Sequence, residues 1–117
     1  PAGSAATGHT NTRIADNLIL QAVGAPASVD DATGITFDHN LWSTTPSANV
    51  SSASDVVADP LLVSAGNATV AGATPPDWYK LTSGSPAQGA GTAVSGVTDD
   101  YFGRPRSDPP DLGAHEL

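Results

Sequence analysis

This sequence predicts an all-β chain, wound as a short solenoid and closed by an irregular cap. Three observations carry that reading. A motif recurs at solenoid spacing, the links between its copies are rich in Gly, Pro, Ser, Asp and Ala, and no stretch keeps an apolar helical period over three turns. The motif is Ile14-Ala15-Asp16-Asn17-Leu18-Ile19, which aligns with Phe37-Asp38-His39-Asn40-Leu41-Trp42, 23 residues later. A fainter third copy, Ala58-Asp59-Pro60-Leu61-Leu62, follows after 20 more. Intervals of about 20 to 30 residues suit one turn of a β-solenoid with two or three short strands.

Taken in order, residues 1–12 are small, polar and aperiodic, and form an irregular leading segment. Residues 13–81 hold the coils and their loops. One turn exposes apolar side chains above and below, so only stacking buries them. Stacking places Leu18, Leu41 and Leu61 in one interior column, with Ile19, Trp42 and Leu62 beside it. Asn17 and Asn40 then meet at a bend, where an inward amide can ladder to its neighbour and satisfy buried backbone groups. Residues 24–34 and 43–54 read as loops. Ala68-Thr69-Val70 and Trp78-Tyr79-Lys80-Leu81 read as short strands. From residue 82 to 117 glycine and proline dominate a closing cap, in which Arg104 and Arg106 sit among Asp99, Asp100, Asp108 and Asp111, either as ion pairs pinning the cap or with one arginine facing a ligand.

Composition sets the partners. A length of 117 residues allows one domain near the small end for a self-sufficient core. Cysteine is absent, which removes disulfides and thiolate metal sites. Four basic residues face twelve acidic ones, giving a formal charge of -8 that repels nucleic acid and anionic membranes. It also gives no broad attraction for acidic polysaccharide. Aliphatic runs such as Leu18-Ile19-Leu20 are too short to span a bilayer. Little lysine with much alanine, threonine and aspartate suggests a secreted, extracellular protein. Pro1 at the start and the lack of methionine suggest a processed chain or a fragment.

Four blocks carry a family resemblance: Ala58-Asp59-Pro60-Leu61-Leu62-Val63, Ser85-Pro86-Ala87, Asp100-Tyr101-Phe102-Gly103-Arg104-Pro105, and Asp111-Leu112-Gly113-Ala114-His115-Glu116. In order and approximate spacing they resemble the carboxy-terminal end of right-handed parallel β-helix proteins of the pectate-lyase-like superfamily, which are secreted and carbohydrate-active. The resemblance implies a right-handed parallel β-helix of about two to three coils plus an irregular C-terminal cap. It also implies the C-terminal portion of a polysaccharide lyase or glycoside hydrolase, with an active groove lying mainly outside this chain. Such tails also close epimerases and proteins without activity. The alternatives are therefore a structural or assembly solenoid, or a glycan-binding module using Trp42, Trp78 or Tyr79. Two departures stand out: Gln88-Gly89-Ala90-Gly91 lacks the family's aspartate, and His115 takes an aromatic residue's place. A cap at only one end implies that a second chain, or missing N-terminal coils, packs on the first turn.

The aligned repeats put Asp16, His39 and Asp59 in one column. A histidine between carboxylates can serve as a general base, and it can equally be one member of a hydrogen-bonded ladder. Lyases of the family need a cation to neutralise a uronate, and outside the cap only Arg13 and Lys80 are available. Arg13 either lines a groove or pairs at the surface with Asp16. Lys80, with Trp78 and Tyr79, could form a platform that stacks on a sugar ring; the competing reading has one ring in the core and the lysine in solvent. Glycosidases need two carboxyl groups at a set separation, and no spacing here selects a pair. No cofactor is evident. Asp30-Asp31 and Asp99-Asp100 could contribute oxygen ligands to calcium, without matching a loop motif. His9, His39 and His115 lack zinc-like spacing. Phosphate loop, dinucleotide fingerprint and nucleophile elbow are all missing. Asn49-Val50-Ser51 and Asn67-Ala68-Thr69 fit the glycosylation pattern. The shared column predicts that Leu18, Leu41 and Leu61, each truncated to alanine, lose ~2–5 kcal/mol in chemical denaturation.

Overall fold

The structure is a computed structural model that describes residues 9–21, 26–27, 29–64 and 75–117. Strand β1 (Thr12–Ala15) and strand β3 (Ile35–Asp38) are short β-branched segments that lie parallel, with Thr12 opposite Ile35 and Ala15 opposite Asp38. Each runs into a left-handed corner, at Asp16 (φ 60°) and at His39 (φ 51°). Aspartate and histidine are among the few non-glycine types that enter this region readily. Beyond the corners come β2 (Leu18–Ile19) and β4 (Leu41–Trp42), and β5 (Val56–Val57) completes a second parallel sheet in the order β2-β4-β5. Leu18 stands opposite Leu41 and Leu41 opposite Val56.

A file of corner contacts holds these rungs together. The Asn17 amide and backbone N–H both donate to Asn40 Oδ1 at 3.0 Å, and the Asn40 N–H donates in turn to Asp55 Oδ1 at 3.0 Å. The Asn40 amide donates to the Ile14 carbonyl at 3.0 Å, so a fully buried asparagine keeps its partners. Gly113 N–H donates to Asp16 O at 2.9 Å, Asp16 N–H to His39 O at 3.0 Å, and His39 N–H to Ser54 Oγ at 3.0 Å. Gly113 is itself left-handed at φ 89°, and an added Cβ would meet Leu18 Cβ at 3.2 Å, so glycine is required there.

The predicted right-handed parallel β-helix of two to three coils does not form. The described strands make two separate small parallel sheets, of two and three strands, with no closed solenoid. The reason is chain length between rungs. The first two rungs are 23 residues apart, but the corner that follows comes only 15 residues after Asn40, at Asp55. Within those 15 residues the chain forms a turn of 3-10 helix (Ala48–Val50), and among the described residues no third strand pairs with β1 or β3. The third repeat copy is likewise displaced: Ser54-Asp55-Val56-Val57 occupies the rung assigned to Ala58–Leu62. Leu61 is left-handed (φ 53°) and 42% exposed, outside the leucine column, while Leu62 bridges Leu81 in antiparallel fashion.

The core gathers around Leu41, which is fully buried with Leu81, Ala87 and Leu112 and is flanked by Leu18, Val56, Leu62 and Ala90. Half of it is thus supplied by residues after 80. Trp42 is buried too, and its indole N–H donates to Asp55 Oδ2 at 2.9 Å. The segment expected as a strand at Trp78–Leu81 is instead a 3-10 helix, Pro76–Tyr79, because Pro76 presets its first helical φ; only Leu81 bridges to the sheet side. The expected strand at Ala68–Val70, the sequon at Asn67 and most of the leading segment lie outside the described residues. Among the described residues no helix is long and apolar enough to cross a membrane.

Leu41→Ala should cost ~2–5 kcal/mol by urea denaturation. Leu61→Ala, at an exposed site, should stay within about 0.5 kcal/mol. Equal losses at both positions would restore the original leucine column.

Candidate functional site

Arg13 and Thr36 are paired across β1 and β3, so Arg13 and Asp38 share a face of that sheet. The Arg13 guanidinium grips the Asp38 carboxylate through Nε at 2.8 Å and Nη2 at 2.7 Å. Asp38 Oδ1 also lies 2.8 Å from His39 Nδ1. The arginine hydrogen bond, with help from His39, pulls the Asp38 carboxyl down to about 2 against the cost of its desolvation. An ionised Asp38 makes His39 Nδ1 the donor, which leaves Nε2 as the lone-pair nitrogen of the neutral ring. The His39 side chain as a whole is 34% exposed. Arg13 in turn is held by Asp38, and its charge is matched before any anionic ligand arrives.

The proposed column of Asp16, His39 and Asp59 is brought together only in part. Asp16 and His39 are neighbouring corners, but Asp16 Oδ1 is turned to the tail, accepting the Thr92 N–H at 2.8 Å. Asp59 is exposed and caps its own turn through the Leu61 N–H at 2.9 Å; Asp55 takes the rung in its place. Trp78, Tyr79 and Lys80 also separate in role. Trp78 is partly buried, Tyr79 is 40% exposed, and Lys80 Nζ sits 3.1 Å from Asp77 and 4.6 Å from the centre of the Phe102 ring.

A groove runs between the first rung and the tail. Two adjoining hollows of about 320 Å³ each share Asp16, Val94 and Val97. One reaches Arg13, the other Thr98, Ser107 and Asp108. Polar and acidic residues thus line the groove together with two valines. The sequence offered no signal for the tail half of this groove, because the turn-rich segment from 92 to 98 has no periodicity and only folding back sets it beside β1.

The cap is pinned differently from the expected Arg–Asp pairs. Arg106 donates to Glu116 Oε2 at 3.2 Å and to the carbonyls of Asp111 and Gly113, while Arg104 reaches the Glu116 carbonyl at 3.0 Å. Buried Glu116 further accepts from Ser107 N–H, the Ser107 hydroxyl and Asp111 N–H. Buried Asp100 accepts the N–H groups of Phe102, Arg104 and Glu116 at 2.7–2.8 Å. Asp111 accepts those of Gly89 and Leu117. Buried His115 packs edge-on to Phe102 and accepts the Leu81 N–H at Nδ1. His115 thus keeps the aromatic contact its position calls for and adds an acceptor that phenylalanine lacks.

Among the described residues no cluster of three or more His, Cys, Asp or Glu is placed to hold a metal. No family model matches the chain, and no curated protein matches it.

Two measurements check these electrostatics. Arg13→Ala should raise the Asp38 carboxyl from about 2 toward the ordinary 3.8, read by carbon-detected NMR titration. The second is stability against pH. Burial pushes the Asp100 and Glu116 carboxyls up, but the N–H and hydroxyl donors outweigh it and hold both below their ordinary values of 3.8 and 4.5. The unfolded chain then takes up protons first, so their stabilisation is whole above the ordinary values and is lost as pH falls through the lower folded ones. Burial also lowers His115 below 6.5, so the unfolded chain protonates there first and stability begins to fall below that pH. Urea midpoints should therefore decline in two stages, starting below pH 6.5, and Glu116→Gln should flatten the acid stage.

Proposed function

We propose that this chain handles polysaccharide, binding a glycan segment along the groove between β1 and the tail as a non-catalytic component of a carbohydrate-active system. The groove itself carries the reading: Thr98 and the carboxylate residues Asp16 and Asp108 line it beside Val94 and Val97. Polyhydroxylated ligands present hydroxyls at the rim of the ring and C–H groups on its faces, and this lining answers both. The carboxyl groups that fold into strong hydrogen bonds, Asp38, Asp100 and Glu116, are all shifted toward the ionised form. A glycosidase acid requires the opposite shift, so none of these three is suited to that role. The tail blocks quoted above add the resemblance to secreted carbohydrate-active proteins.

A second reading rests on one observation, the Asp38–His39 contact at 2.8 Å. Held through Nδ1, His39 would present Nε2 as the proton-transfer atom of a lyase or hydrolase. Calcium has no assigned part in either reading. Asp31 already accepts the Thr33 N–H, and Asp100 is filled by three backbone donors.

Affinity electrophoresis through gels containing soluble neutral glucan, mannan or xylan is the test. Asp108→Ala with Thr98→Ala should weaken retardation by about threefold to tenfold, the loss of one or two hydrogen bonds. Chelator should leave it unchanged. Retardation indifferent to both substitutions would remove the groove from the reading. Release of new reducing or unsaturated ends, abolished by His39→Gln, would replace binding by catalysis.

A further inference from the structure

We propose a second, separate carbohydrate site on the opposite chemistry: the cleft walled by Pro76, Tyr79, Tyr101, Phe102 and Ala114, which takes the apolar face of a neutral pyranosyl residue. The cleft encloses about 300 Å³, the size of a sugar ring or two. Tyr101 is 71% exposed and Tyr79 40%, so two large aromatic surfaces face outward at one place. Lone exposed apolar residues are ordinary, whereas adjoining aromatics around a hollow mark a ligand surface.

The walls are held rigid from behind. Tyr101 N–H donates to the Ala114 carbonyl at 2.9 Å, and Phe102 N–H donates to Asp100 Oδ1 at 2.8 Å. The Phe102 ring meets Tyr101 edge-on at 5.1 Å, meets His115 edge-on at 5.5 Å, and carries the Lys80 ammonium 4.6 Å from its centre. A ring braced on these sides loses little freedom when a ligand docks, which is the condition under which stacking yields affinity.

Charge selects the class of sugar. Lys80, the cation over the Phe102 ring, is matched by Asp77 at 3.1 Å. Arg104, two residues from Phe102, is turned to the Glu116 carbonyl at 3.0 Å, and the net charge of -8 repels a uronate or sulfate. A neutral glycan remains.

The site does not depend on the groove, and its variants separate the two. Electrophoresis of the full chain through hydroxyethylcellulose, galactomannan, xylan and polygalacturonate is the assay, with sedimentation velocity run alongside. Tyr101→Ala, at an exposed position, should weaken retardation by at least one neutral polymer about tenfold, and Tyr101→Phe should retain it. Asp108→Ala in the groove should leave this Tyr101-dependent component in place. Retardation untouched by Tyr101→Ala, absent from every neutral polymer, or strongest in polygalacturonate would overturn the proposal. So would a concentration-dependent dimer that Tyr101→Ala dissolves, which would assign the cleft to a second copy of the chain.

Discussion

With strands of two to four residues, this backbone must find acceptors for its N–H groups outside the sheets, and side-chain oxygens provide them. At the corners Asn40 and Asp55 accept the N–H of the residue one rung below; in the cap Asp100, Asp111 and Glu116 accept those of residues that no strand would reach. A buried N–H without a partner costs about twice what a made hydrogen bond returns. The placing of these five side chains therefore decides which irregular conformations are tolerable. The sheets and the small aliphatic core are arranged around them.

The same requirement explains why so acidic a chain can carry buried carboxylates. Each is expensive to desolvate, and each is surrounded by N–H donors, a hydroxyl or a guanidinium that favour its ionised form. Part of the negative charge thus serves as internal acceptor for the fold, and only the remainder shapes the surface. Arg106 shows the complement, partly buried beside Glu116 and donating to carbonyls of the final turn. Through Thr92 and Gly113, which both bond Asp16, this network is tied to the first rung, so cap and sheets stand or fall together.

The corner asparagines and the Leu18–Leu41 pair were legible because a repeated motif leaves a repeated letter pattern, and the amide ladder demands one residue type at one offset. The third rung was not. Ser54-Asp55-Val56-Val57 shares with Asp38–Trp42 only polar residues followed by two apolar ones, whereas Ala58-Asp59-Pro60-Leu61-Leu62 looks closer by residue type. Leu61 was drawn away because Asp59 caps its turn and the chain there prefers Leu62 against Leu81. At the site, Arg13 and His39 could be named individually, but Asp38 as the link between them depends on β1 and β3 lying in register. Tyr101 and Phe102 stood in a tail block whose letters suggest packing, and only the solvent exposure of Tyr101 and the hollow beside Tyr79 distinguish a surface from a core.

By itself the sequence determined the corners, the ladder between Asn17 and Asn40, the parallel pairing that follows from it, the irregular cap and the lack of long helices among the described residues. Those features depend on local chemistry: left-handed tolerance of Asp and His, amide geometry, and the density of glycine and proline. Tertiary structure alone decided that the rungs stop short of a closed solenoid, that the tail supplies half the core, and that the groove and the aromatic cleft lie where they do. Each of these turns on how far the chain travels between contacts. That distance is set by competition among many weak acceptors, which no single residue pattern records.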